Sequence, residues 1–79
     1  MSVMNNIREA AHSKKLLQIT YIDSKNQPTI RTIEPYEIKN DGLYGYCLVK
    51  NQIRFFKLAR IQSAQVHFNT FKPRFPVLI

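Results

Sequence analysis

Seventy-nine residues, 44% apolar and 11% aromatic, make one small globular domain and exclude both a second core and a disordered chain. The formal charge of +7 is one-sided: residues 42–79 hold six Lys/Arg and no acid, whereas residues 1–41 hold six Lys/Arg against five Asp/Glu. Cations without acids point to an anionic partner, most commonly nucleic acid, and no apolar run nears the ~20 residues of a membrane helix or forms a signal-peptide core.

Ser2 caps a predicted helix from about Val3 to His12 or Ser13, whose Val3, Met4, Ile7, Ala10 and Ala11 form one apolar stripe. Lys14 and Lys15 suit its C-terminal dipole end. The first strand is Leu16 to Ile22, with Leu17, Ile19 and Tyr21 alternating against Gln18 and Thr20, and Asp23-Ser24-Lys25-Asn26 supplies a turn. The second strand runs from about Thr29 to Ile33, with Pro35 expected to end or bend it. Asn40-Asp41-Gly42 signals a hairpin into a third strand, Leu43 to Val49, where Gly45 marks a bulge or tight bend. Lys50-Asn51-Gln52 leads to a fourth strand, Ile53 to Leu58, and Ala59-Arg60 to a fifth, about Ile61 to Phe68. The tail, 69–79, holds prolines too closely spaced for regular structure. One helix followed by five short strands suggests a mainly β (α+β) domain bent into a small barrel.

A single cysteine, Cys47, rules out an internal disulfide and fits a reducing cytoplasm. His12, Cys47 and His67 lack metal-ligand spacing, so neither a metal nor a cofactor is expected. Ser13, Ser24 and Ser63 have no motif context with either histidine, Glu34 and Glu37 merely flank a proline, and two glycines cannot build a phosphate loop. A non-enzymatic role follows.

The fourth strand carries the main functional clue. Alternation sets Arg54 with Phe56 and Leu58 on one face, and Ile53, Phe55 and Lys57 on the other. A guanidinium on a core-facing side needs a carboxylate or an anionic ligand. Arg31 shares its strand face with Ile33 in the same way, and Arg60 follows where the strand pattern ends.

The order Ile7…Ala10, Ile19-x-Tyr21, Arg31-x-x-x-Pro35 and Arg54-x-Phe56-x-Leu58-x-Arg60-Ile61 resembles the WYL domain of bacterial regulators over about residues 4–71. The chain has no tryptophan; either Leu43-Tyr44-Gly45 or Asp41-Gly42-Leu43 stands at the naming triplet, and Ala59 replaces the family's usual acid. The resemblance implies an Sm-like, five-stranded, strongly bent barrel with a leading helix. It also implies a ligand-sensing role, often toward nucleic acid or a nucleotide, in transcription, DNA repair or phage and CRISPR defence. Such domains usually follow a DNA-binding segment; this chain opens almost directly on the helix, so a stand-alone module with a DNA-binding partner protein is expected.

Parity and resemblance together gather Arg31, Arg54 and Arg60, with Tyr21 and Tyr44 or Tyr46, on one barrel edge, and Lys57 of the same strand as Arg54 is counted among the ligand-binding residues. Arginines grip phosphates with paired hydrogen bonds and exposed aromatics stack on unpaired bases, the chemistry of single-stranded nucleic acid or nucleotide binding. Alternatively, Arg31 and Arg54 pair with Glu34, Glu37 or Asp23 and tie strands together. The competing functional reading is a protein-interaction or oligomerisation module, including a homo-oligomer, motivated by small size and the apolar Pro76-Val77-Leu78-Ile79.

Overall fold

A computed structural model describes residues 2–79. Helix α1, Val3–Ser13, starts where the Ser2 side chain accepts the main-chain N–H of Asn5 at 3.0 Å. It stops at Lys14, which takes the left-handed conformation (φ 55°, ψ 41°). Its buried residues, Ile7, Ala10 and Ala11, come from the apolar stripe.

The five strands are β1 (Lys15–Ile22), β2 (Pro28–Lys39), β3 (Gly42–Cys47), β4 (Gln52–Lys57) and β5 (Ile61–Thr70), with a 3-10 turn, Leu58–Arg60, between the last two. All neighbouring pairs are antiparallel, in the order β4-β3-β2-β1-β5. The domain is therefore mainly β with one N-terminal helix, as the patterning predicts. Where a strongly bent Sm-like barrel is expected, the five strands form an antiparallel sheet that does not close, with β4 and β5 at its edges. A side chain, not a ladder, spans the gap at one corner: the Lys57 main-chain N–H donates to Oη of Tyr21 at 3.0 Å, and the Tyr21 ring meets Phe56 edge-on at 5.1 Å. The sheet curls far enough for β1 to touch β4, yet a tyrosine's length keeps the two backbones apart.

The concave face holds Leu17, Ile19, Ile33, Leu43, Cys47, Phe56, Ile61 and Ala64, covered by Ile7 and Ala10 of α1. Phe56 is buried while its neighbour Phe55 is 38% exposed, which is the alternation expected of β4.

Strand β2 continues six residues beyond Ile33, straight through Pro35. Its ladder to β1 ends at Leu17↔Ile33, so from there β2 pairs with β3 alone, and a proline facing the unpaired side removes no ladder bond. The bend falls at a register shift between Pro35 and Glu37, opposite Gly45. The hairpin after it turns on Asn40 (φ 57°) and Asp41 (φ 59°), with Gly42 already in β3. Strand β3 ends at Cys47, two residues earlier than its apolar run suggests.

The irregular tail is firmly held. Phe71 and Phe75 meet the Tyr36 ring edge-on, and the Leu78 N–H donates to the Tyr36 carbonyl at 2.7 Å. This covers the outer face of β2 and explains why four successive residues, Ile33 to Tyr36, are all buried.

Candidate functional site

At the corner where β1, β4 and the 3-10 turn meet lies a cleft of about 520 Å³. Tyr21, Arg31, Arg54, Lys57 and Arg60 all line it, together with Asp23, Phe55 and Phe56. Five of the seven residues expected from the sequence are thus brought together. Tyr44 lies outside, its ring 4.9 Å from that of Phe55 and tilted by 52°. Tyr46 lies further off, beneath the guanidinium of Arg74 at 4.0 Å from its ring centroid.

Each side chain has an identifiable local cause. Arg31 enters from β2 opposite Ile19, and its Nε donates to Oγ1 of Thr29 at 3.3 Å. Thr29 in turn donates to the Tyr21 carbonyl at 2.9 Å, which fixes the orientation of Arg31 against β1. Arg54 sits opposite Gly45 on β3, half-buried beside Phe56. Arg60 closes the 3-10 turn, and its Nη1 donates to the carbonyls of Ile22 and Asp23 at 3.2 and 2.9 Å. Arg60 therefore ties the turn to the end of β1 as well as facing the cleft. With Ala59 in place of an acid, main-chain oxygens serve as its partners.

The carboxylates expected as alternative partners are placed otherwise. Glu34 is buried on the opposite face, where Nε of Arg74 approaches its two carboxylate oxygens at 3.1 and 3.3 Å and Oη of Tyr36 donates at 2.6 Å. Asp23 stands at the cleft, but its Oδ1 accepts the N–H groups of Lys25 and Gln27, both at 2.9 Å. The Gln27 N–H, foremost, holds this carboxyl below the usual aspartate range, with Arg31 adding attraction. Among the described residues the one ion pair is Arg74–Glu34, so Arg54 and Arg31 have none. Four cations thus face one carboxylate that the main chain already engages. Partly buried guanidinium groups in a concave, aromatic-walled site bind phosphate or carboxylate oxygens; the cleft offers no nucleophile paired with a base.

The WYL domain model matches residues 2–66. The chain belongs to the WYL domain family. An uncharacterised HTH-type transcriptional regulator, YobV, of Bacillus subtilis (strain 168) is 36% identical to this WYL domain over 59 residues, covering 70% of the chain and 19% of that protein. Proteasome accessory factor B/C (PafBC) of Arthrobacter aurescens has a matching fold, with a TM-score of 0.80 at 21% identity over 91% of this chain and 13% of that one. The WYL domain here thus spans less than a fifth of the length of either relative. No helix among its described residues is long and apolar enough to cross a membrane.

Sequence reasoning missed two groups at or near this WYL site. Phe55 lines the cleft, although alternation assigns it to the outer face, because β4 is an edge strand with its rim at the opening. Arg74 is the partner of Glu34 and the cover of Tyr46, yet it lies in a tail where spacing carries no periodic signal.

Proposed function

We propose that this WYL domain is a non-enzymatic, ligand-sensing regulatory module. Its ligand is an anion, single-stranded nucleic acid or a nucleotide, taken in the cleft by Arg31, Arg54 and Lys57 beside Tyr21, with Arg60 as both frame and field. The observation that carries the reading is Arg54: a half-buried guanidinium with no ion pair, in a cleft whose lone carboxylate is held by main-chain N–H groups. A cost of that kind is offset when an anion arrives. A cleft of about 520 Å³ is of small-ligand size. The likeness to an HTH-type transcriptional regulator supports a role in transcription control, with the DNA-binding function carried by a separate segment or partner protein.

Anisotropy titration of a labelled single-stranded oligonucleotide tests it. Binding should weaken with salt at a slope of about −0.7 per phosphate contacted, and Arg54→Ala should lower the affinity without lowering the melting temperature. No binding at low salt, or an Arg54→Ala variant that binds as the parent does, overturns the reading.

Exposed apolar side chains favour a second reading, assembly through the sheet edges: Phe68 on β5 is 82% exposed and Ile53 on β4 41%. Sedimentation showing only monomer at high protein concentration sinks that alternative.

A further inference from the structure

Phe55 lines the cleft and also opposes Tyr44 on the outer face of β3 and β4, and we propose that this face is a second, contiguous track for single-stranded nucleic acid. The ligand is then an oligonucleotide that begins in the cleft and leaves over Phe55 and Tyr44 toward Arg74, an inference that rests on the nucleic-acid reading of the cleft.

Phe55 belongs to both surfaces. It lines the cleft, opposes Tyr44 across the ladder and is 38% exposed. Its ring lies against the α-carbon of Gly42, in space that a Cβ there would occupy, so the ring is pressed onto the sheet. Two positions along the same face of β3 from Tyr44 comes Tyr46, carrying the guanidinium of Arg74 at 4.0 Å over its ring. That guanidinium is held in place, because Nε is fixed by the buried Glu34 while the side chain remains 48% exposed. Its two terminal nitrogens have no hydrogen bond among the described residues.

The chemistry suits an unpaired strand. The Phe55–Tyr44 pair offers a ring for one base, and the Arg74 plane offers a platform for the next, with its terminal nitrogens in reach of a phosphate. Glu37, opposite Tyr44 on β2, is an acid beside the track, whereas Glu34 is buried under Arg74.

The test is a length series: thymidine monophosphate and oligomers of two to eight deoxythymidines, with uridine oligomers in parallel. Affinity should climb from one to about four nucleotides and then level off, in at least one of the two sugars. Arg74→Lys keeps a charge at Glu34 but loses the plane. It should lower tetranucleotide affinity about fivefold or more while leaving the mononucleotide unaffected. Phe55→Leu should shrink the ratio of tetranucleotide to mononucleotide affinity, and Glu37→Gln should raise it. Melting curves establish that each variant folds, and Phe55→Leu carries the test alone if Arg74→Lys does not. Equal affinity at all lengths for both sugars, or an unchanged ratio in the folded variants, overturns the track even where Arg54→Ala abolishes binding. An Arg54→Ala variant that binds every length as the parent does overturns the cleft itself.

Discussion

Arg74 and Glu34, 40 positions apart, meet across the outer face of β2 with Nε at 3.1 and 3.3 Å from the two carboxylate oxygens. Glu34 is 3% exposed and also takes the Tyr36 hydroxyl, whose oxygen accepts the Arg74 main-chain N–H at 2.9 Å. One residue of an irregular tail thus satisfies a buried acid and a buried phenol together. The hydrogen bond to Glu34, foremost, raises the Arg74 guanidinium above its usual range.

Removing Arg74 leaves a buried carboxylate without its cation. Arg74→Ala should lower the unfolding midpoint, by less than the loss of a fully enclosed pair would, because half of Arg74 is in water. Adding Glu34→Gln should recover part of the loss. Urea denaturation of the parent and the two variants measures both effects, and an Arg74→Ala midpoint equal to that of the parent would refute them.

The Tyr36 phenol is pushed up to about 12, first by burial and further by Glu34, against the pull of the Arg74 N–H. Ionisation in the unfolded chain occurs near pH 10, so the protonated phenol favours the folded state. Its contribution is complete below pH 10 and disappears as pH rises toward 12. Stability measured over that window should fall more steeply for the parent than for Tyr36→Phe. Parallel curves would remove the assignment.

Gly42→Ala places a methyl group where the Phe55 ring lies. The ring is at the surface and can swing away, so the expected cost is about 1 kcal/mol, at the low end for overpacking. The clearer readout is the loss of the Tyr44–Phe55 contact in aromatic proton shifts. Unchanged shifts would show that the ring does not need this glycine.

Arg54 and Arg60 should separate in a melting experiment. Arg60→Ala loses two main-chain acceptors that hold the 3-10 turn to β1, and about 1–2 kcal/mol with them. Arg54→Ala loses no ion pair and relieves repulsion among the cleft cations, so its melting temperature should hold or rise. Equal drops for both would contradict the division of roles.

The sequence was most legible where periodicity and burial coincide. Ser2 with the α1 stripe, the alternation of Arg54, Phe55 and Phe56, and the turn at Asn40-Asp41 all follow from local rules. Pro35 marks the bend but not an end of β2, because its tolerance depends on which neighbour strand is absent, a tertiary fact. The open sheet was hidden for a related reason: strand pattern states how many strands form, but the Tyr21–Lys57 contact that spans the last gap joins residues 36 apart. Tyr44 and Tyr46 looked alike in sequence, and only the tail distinguishes them, by covering one with Arg74.

The hold of the main chain on Asp23 has a kinetic consequence. A carboxylate engaged by the N–H groups of Lys25 and Gln27 is poorly placed to swing across and neutralise the four cations at the mouth. An approaching anion meets a nearly unopposed field that reaches about 8 Å into physiological salt. Capture should therefore be fast and steeply dependent on ionic strength, while release is governed by the contacts made once inside.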